Sequence, residues 1–306
     1  VNIQSGRNEV ALIDLHMHST ASDGEWTPSQ VVDEAVRRKL SVIALTDHDT
    51  VGGLPEARQR AQGSSLRIIP GVELSSDYGG TSLHVLGYFV NDECPEFEER
   101  LALARQARDA RNPRIIEKLQ ALGVDVSMEQ VNALADGVVG RPHIAQAIVN
   151  AGGAKDIRAA FDNFLGERGK AYFPKRRIPP HAAFKWIHDS GGVAVVAHPR
   201  TLRYKMPLLK YGDCIGAWAL EGLDGVEVHY SGHDPSTVKE LLRVAQRMNL
   251  AITGGSDFHG PNVRKGVSIG VGYGSMNLPD SLLDGLVEAW RKRHGHSATE
   301  IPKCLQ

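Results

Sequence analysis

Apolar residues gather along the chain in short runs rich in Val, Ile and Leu, and several runs are followed by a stretch with helical spacing. "VALIDLHMH" precedes "PSQVVDEAVRRK", "SVIALTDHD" precedes "GLPEARQRAQ", and "LRIIPGVEL" and "LHVLGYFV" come next. Much further on stand "GVAVVAHP", "GVEVHY" and "LAITGGSDFH", the last two separated by the helical "PSTVKELLRVAQRMN". Strands alternating with helices predict βα units and a mainly parallel α/β arrangement.

Between about 92 and 175 this cadence stops. The chain there reads as successive helices: "EFEERLALARQARDAR", "PRIIEKLQALG", "SMEQVNALAD", "RPHIAQAIVNAG" and "KDIRAAFDNFLG". Asn112 before Pro113, Ser127 three residues before Gln130, and Gly123 and Gly152 after last turns mark their boundaries. A structureless linker of that length is improbable inside a compact domain, so the stretch is expected to be a helical insertion capping the site. The expected division is a discontinuous barrel domain, 1–92 and 176–306, with a helical cap domain over 93–175.

Composition narrows the class. A chain of 306 residues with 42% hydrophobic content is long enough for one large α/β domain or for two domains with separate cores. Lys and Arg total 35 against 36 Asp and Glu, a net charge of −1, so no global basic field favours nucleic acid or anionic membrane and any polyanion site must be local. Cys94, Cys214 and Cys304 are far apart with no CxxC pair, which argues against a disulfide framework or thiolate zinc site and fits a reducing cytoplasm. No apolar run approaches the ~20 residues of a spanning helix, and "VNIQSGRNEV" lacks the apolar centre of a signal peptide, so no membrane association is expected.

The chemistry lies at the ends of the apolar runs. In "DLHMHSTASDG", period-two alternation puts Asp14, His16 and His18 on one face and Leu15 and Met17 on the other, with Asp23 following. His48 closes the second run, Glu73 is near the end of the third, His198 follows "VAVVA", His229 ends "VEVHY", and Asp257 and His259 follow "LAITGG". C-terminal ends of parallel strands converge on one mouth, so these groups converge. His84 stands at the start of its run, which fits an antiparallel or differently tilted strand. Any one of these histidines alone reads as structural, and any one carboxylate as a helix cap. Chance placement of so many at the same strand end, in a chain with 13 histidines, is hard to sustain.

Six histidines and three carboxylates exceed the needs of one catalytic metal, which usually takes three protein ligands. Two or three metals are implied, and imidazole with carboxylate suits Zn²⁺, Mn²⁺ or Fe²⁺ without choosing among them. Three divalent ions bring about +6, against about −3 from Asp23, Glu73 and Asp257 and about −1 from a bridging hydroxide; a phosphate dianion neutralises the remainder. Closely spaced metals activate a bridging hydroxide, clamp phosphoryl oxygens and stabilise an alkoxide leaving group, so phosphoester hydrolysis is the leading chemistry.

In this order, "DLHMHSTASDG", "ALTDHDT", "PGVELS", "LHVLGY", "AHP" and "GGSDFHG" resemble the polymerase and histidinol phosphatase (PHP) family of metal-dependent phosphoesterases, over roughly 11–92 and 178–290. The resemblance implies a distorted (β/α)7 barrel of PHP type with a trinuclear centre, Mn²⁺ being the first expectation and Zn²⁺ or Fe²⁺ the others. By motif position it implies nine ligands, His16, His18, Asp23, His48, Glu73, His84, His198, Asp257 and His259, with Glu73 bridging. The insertion and the "AHPR" and "EVHY" contexts look most like members that remove the 3′-phosphate of nucleoside 3′,5′-bisphosphates, related members trimming short oligoribonucleotides from the 5′ end. No protein partner is implied.

For a second phosphate, Arg141 precedes Pro142 at an apparent helix start, where free N–H groups and an arginine fork favour an anion. Arg177 in "PKRR", with Lys175 and Arg176, and Arg200 in "AHPR" are further candidates; His229 is a phosphate contact or a general acid for the leaving oxygen. His143 reads as an ordinary helix residue. Arg105, Arg108, Arg111 and Arg114 read first as a solvated helix face, and Tyr172, Phe173 and Tyr230 as core rather than stacking residues. Two rivals stand beside this reading: an amidohydrolase-type C–N hydrolase, and a noncatalytic metal-dependent nucleotide sensor or polymerase accessory module.

Overall fold

A computed structural model describes residues 12–135, 139–166, 168–173, 178–204, 206–295 and 299–306, without the side chains of 107–109. The elements run β1 (Leu12–Met17), α1 (Pro28–Arg37), β2 (Leu40–Leu45), α2 (Leu54–Ala61), β3 (Arg67–Tyr78), β4 (Thr81–Tyr88) and α3 (Pro95–Asp109). There follow α4 (Asn112–Ala121), α5 (Met128–Asn132), α6 (Arg141–Asn150), α7 (Ile157–Ala160) with a π turn over Phe161–Leu165, and α8 (Pro180–Asp189). The chain then forms β5 (Val193–Val196), a 3-10 turn (Pro199–Tyr204), α9 (Tyr211–Leu220), β6 (Gly225–Tyr230), α10 (Pro235–Met248), β7 (Ala251–Gly255) and α11 (Leu282–His294).

The strands lie side by side in chain order, β1 to β7, as a nearly closed barrel. Every neighbouring pair is parallel except those of β4, which runs antiparallel to β3 and β5. The reversal follows from a tight hairpin in which Gly79 and Gly80 both take positive φ, the backbone a two-residue turn demands. It explains His84, since the start of an antiparallel strand lies at the same mouth as the ends of its parallel neighbours.

Two apolar clusters follow the alternation. Val42, Ala44, Ile69, Leu86, Tyr88, Val193 and Val195 belong to one, joined by Leu283, Leu286 and Val287 of α11, which packs where the parallel strands begin. The opposite parity, Ile43, Leu45, Val72, Leu74, Val85, Ala194, Val196 and Val226, packs against α1, α2, α8 and α10. In β1 an irregularity between Asp14 and Met17 breaks the two-residue period, so Leu15 joins the first cluster and Met17 the second. Asp14 therefore does not share the role of His16 and His18: its carboxylate accepts the N–H groups of Ser256 at 2.9 Å and Gly270 at 2.7 Å.

Helix starts are set locally. Thr27 with Gln30, and Ser127 with Gln130, form the reciprocal caps their spacing predicts. Asn112 differs: it is the first residue of α4 and its amide donates to the Val139 carbonyl instead of capping. Within 93–175, α3 lays Phe97 and Leu101 on the barrel's outer layer, whereas α4 to α7 enclose their own cluster of Ile115, Leu119, Val131, Ile144, Ile148 and Leu165.

Closure of the barrel is short. The Asp257 N–H donates to His16 O at 2.8 Å, and the His18 N–H to Phe258 O at 2.9 Å. Gly255 makes the approach feasible, because a Cβ there would fall on the backbone and Cβ of His16. Gly255→Ala is expected to destabilise the fold by about 1–3 kcal/mol through overpacking at this seam. Urea denaturation midpoints of the two proteins measure it, and equal midpoints contradict the tight seam.

Candidate metal centre

Glu73, 1% exposed, is ringed by imidazoles. Its Oε1 lies 2.8 Å from His84 Nδ1 and 3.0 Å from His198 Nε2. Its Oε2 lies 3.1 Å from His18 Nε2, 3.1 Å from His48 Nδ1 and 3.3 Å from His16 Nε2. On one side, Asp257 Oδ1 stands 3.2 Å from His18 Nε2 and 3.4 Å from His16 Nε2. On the other, Asp23 stands 3.4 Å from His259 Nε2 and 3.8 Å from His48 Nε2. All nine residues picked out in the sequence thus meet at one mouth.

Among the described residues their donor atoms form three overlapping groups, each within 4.8 Å: His18, Asp23, His48 and His259; His16, His18, Glu73 and Asp257; and His48, Glu73 and His84. His198 touches the third through Glu73. The backbone is strained at this rim, with His198 at φ 27° and Asp257 at φ 54°. L-residues hold such angles only where surrounding structure over-determines them, as functional sites do.

The charges call for cations. Burial by itself would raise the carboxyls of Glu73, Asp23 and Asp257, yet His48 and His84 hold Glu73, His48 and His259 hold Asp23, and Arg264 and His16 hold Asp257, each well below the usual range. Burial works to lower the His18 imidazole, but the carboxylates of Asp257 and Glu73, 3.2 and 3.1 Å from its Nε2, push it up to about 10. Meanwhile, among the described residues, His16 Nε2, both nitrogens of His18, His198 Nδ1 and Glu73 Oε2 are buried and find no hydrogen-bond partner. Leaving a buried polar atom unsatisfied costs about 1–3 kcal/mol, and divalent cations among these nitrogen and oxygen donors would satisfy them. The residues fit the metals the donor set implies.

Groups not picked as site residues in the sequence hold this arrangement. Asp47 accepts the Ser19 N–H at 2.8 Å, Ser19 Oγ at 2.7 Å and Ser22 Oγ at 2.6 Å, fixing the loop that carries Asp23. Arg264 donates to Asp257 Oδ2 and, at 2.6 Å, to Tyr230 Oη, while the Tyr230 hydroxyl lies 3.2 Å from the same Oδ2. Asp257 is thereby divided, one oxygen towards His16 and His18 and the other held outside. Buried Glu227 reaches His16 Nδ1 at 2.8 Å and accepts the His198 N–H at 2.7 Å. "EVHY" carried the signal for Glu227, since alternation places it inward.

The same strand corrects His229. An irregularity between Glu227 and His229 interrupts the period, so Glu227 and Tyr230 face the cluster. His229 has no hydrogen bond, ion pair or ring contact with it among the described residues, and burial lowers its imidazole without a charged neighbour. It is not placed as a general acid or phosphate contact.

The phosphate candidates are likewise redistributed. Arg141 starts α6, with Nη1 3.4 Å from Leu165 O and its guanidinium 5.9 Å from the Phe161 ring centre, so it turns into the helical segment. Its neighbour Gly140 does reach the cluster, since a Cβ there would meet Asp23 at 2.9 Å. Arg200 donates to Gly232 O at 2.5 Å and stands 3.4 Å from Asp234. Arg177, with Lys175 and Arg176, lies outside the described residues. The arginine series is not one solvated face: Arg105 donates to Asp49 O at 3.0 Å and Arg111 is 6% exposed, whereas Arg114 pairs with Glu117 at the surface. Tyr230 belongs to the cluster, and Phe173 packs on the helical core.

Beside Asp23 a cleft of about 890 Å³ opens between barrel loops and the helices. Asn262, Arg264, Lys265 and Tyr273 come from one wall, and Leu134, Pro142, His143, Lys155 and Arg158 from the other.

Comparison with known proteins places this geometry. The family profile "PHP domain" matches residues 14–167. A 5′-3′ exoribonuclease of Haemophilus influenzae is 34% identical over 91% of this chain and 98% of its own length. A 3′,5′-nucleoside bisphosphate phosphatase of Chromobacterium violaceum is 33% identical over 84% of this chain and 88% of its own. A solved structure from Bifidobacterium adolescentis, described as a metal-dependent phosphoesterase, superposes with a TM-score of 0.80 at 29% identity, covering 90% of this chain and 96% of that one.

Glu73→Gln removes the charge on which the imidazoles converge. Bound metal is expected to fall, and turnover of a generic aryl phosphate to drop at least about 100-fold. Elemental analysis after dialysis, beside the rate, checks both; unchanged metal content and rate contradict the central role of Glu73.

Proposed function

Because the chain belongs to the PHP domain family and is a phosphoester hydrolase, we propose that it removes the 3′-phosphate of nucleoside 3′,5′-bisphosphates, such as adenosine 3′,5′-bisphosphate, leaving the nucleoside 5′-monophosphate and phosphate. The observation that carries this reading is that Asp23 of the cluster lines the same cleft as Lys155, Arg158, Arg264 and Lys265. A substrate with one phosphate at the cluster then meets cations for the other. Tyr273, 57% exposed, and Leu134, 38% exposed, line that cleft too and give a nucleobase an apolar surface. Helices α4 to α7 serve as the cap, contributing one wall.

The nine clustered residues are the metal ligands in this reading, with Glu73 central to three divalent ions, Mn²⁺ first among them. When bound, these ions supply an activated water and charge for the phosphoryl oxygens. Water's oxygen joins the 3′-phosphorus as the P–O3′ bond breaks, and the departing O3′ takes a proton that water gives up, leaving the 3′-hydroxyl and phosphate. Arg264 and Tyr230 keep Asp257 turned to the cluster, while the cations of the cleft hold the phosphate that is not hydrolysed. The free thiols Cys94, Cys214 and Cys304 fit a reducing cytoplasm.

Trimming of short oligoribonucleotides from the 5′ end is the second reading, favoured by the name of the Haemophilus relative and by a cleft near the upper end of the range for single small ligands. Mn²⁺-loaded protein given adenosine 3′,5′-bisphosphate, adenosine 3′-monophosphate, AMP and a short 5′-phosphorylated RNA separates them. Preferential conversion of the bisphosphate to AMP is expected; preferential release of mononucleotides from RNA overturns it in favour of the exonuclease.

Two substitutions examine the cleft. Replacing both Arg158 and Lys265 with Ala is expected to raise KM for the bisphosphate about tenfold or more, leaving an aryl phosphate unaffected. Tyr273→Ala is expected to raise KM for adenosine 3′,5′-bisphosphate about tenfold but not for ribose 3,5-bisphosphate, which has no base to stack. Equal changes on both members of either pair contradict these assignments.

A further inference from the structure

Glu227 is 0% exposed, and its two oxygens have separate partners, one on β1 and one just beyond the end of β5. Oε1 stands 2.8 Å from His16 Nδ1, at the end of β1, while Oε2 accepts the N–H of His198, just after β5, at 2.7 Å. It is not a member of any of the three donor groups. A wholly buried carboxylate is expensive unless its neighbours compensate it.

We infer that Glu227 is the positioning residue of the metal centre: it fixes which nitrogen of His16 is free to bind metal and holds the strained backbone that presents His198. An anionic carboxylate only accepts, so the His16 nitrogen facing it must carry the proton. Nδ1–H donates to Oε1, leaving the lone pair of Nε2 towards Glu73 and Asp257, which stand 3.3 and 3.4 Å away. His16 Nε2 is one of the buried nitrogens that find no hydrogen-bond partner among the described residues. The second oxygen meets a different need. His198 sits at φ 27°, an angle an L-residue does not adopt by preference, and its N–H finds its acceptor in Glu227. The irregularity in β6 between Glu227 and His229 lets one strand supply both this carboxylate and, three residues on, Tyr230 against Asp257.

Glutamine has nearly the same shape but cannot do both jobs. With its carbonyl towards the His198 N–H, its amide donates to His16 Nδ1 and selects the Nε2–H tautomer, which has no lone pair for a metal. Turned the other way, it sets its NH₂ against the His198 N–H, donor to donor.

The inference rests on the metal reading, and the test separates their failures. Full-length wild type and Glu227→Gln are titrated with Mn²⁺ and their bound metal counted, and both are melted after metal removal. The expected result is a variant whose metal-free melting temperature stays within a few degrees of wild type, whose half-saturating Mn²⁺ rises about 10- to 100-fold, and whose bound metal falls by about one equivalent. Wild-type affinity and stoichiometry in the variant overturn the inference; failure of the wild type to bind metal overturns the underlying reading instead. Should Glu227→Gln not fold, Glu227→Asp keeps the charge but is one methylene too short to reach both partners. It is then expected to bind Mn²⁺ more weakly than wild type, and wild-type binding by the aspartate variant refutes the role. A two-bond ¹H–¹⁵N histidine spectrum of the Zn²⁺-loaded wild type is expected to give His16 as the Nδ1–H tautomer, and the Nε2–H form also overturns it.

Discussion

One buried carboxylate with five imidazoles about it organises this protein. Glu73 is withdrawn from water, and its charge is compensated by His16, His18, His48, His84 and His198, which arrive from four other strands or their ends. No set of neighbours in the chain can deliver that many nitrogens to one oxygen pair. A barrel can, because the ends of its strands converge while their backbones remain paired. The cost is a mouth crowded with buried polar atoms and positive φ angles, which bound metal would offset by satisfying the donors while surrounding hydrogen bonds hold the backbone.

The support is layered. Asp47 pins the loop bearing Asp23, Glu227 ties His16 to His198, and Arg264 with Tyr230 divides the oxygens of Asp257. Asp47, Glu227 and Tyr230 each come from a segment other than that of the residue they hold, while Arg264 reaches back within the segment after β7 that also carries Asp257, so the centre is braced largely across strands. This favours a rigid constellation of the kind that metal-assisted phosphoryl transfer requires. Beside it lies the cleft to which the proposed reading assigns the rest of the substrate, with walls from different parts of the chain, barrel loops and the helices α5 to α7.

The sequence by itself determined the alternation of strands and helices, the helical stretch between β4 and α8, and, through the family resemblance, the nine residues of the cluster, most of which stand at or just after the end of an apolar run, where a strand end has a readable address. Local capping by Thr27 and Ser127 was equally legible, being a contact over three residues. Other features were decided only in three dimensions. The reversed course of β4 made sense of His84, and irregularities in β1 and β6 released Asp14 from the cluster and exchanged His229 for Tyr230. Arg141 turned inward, while Lys155, Arg158 and Lys265 came to line the cleft from loops and helix ends that carry no periodic signal. The physical reason is range: alternation reports the face of a residue as long as its strand is regular, but a bulge, a loop trajectory and the partner of a buried charge are settled by packing between segments far apart in the chain.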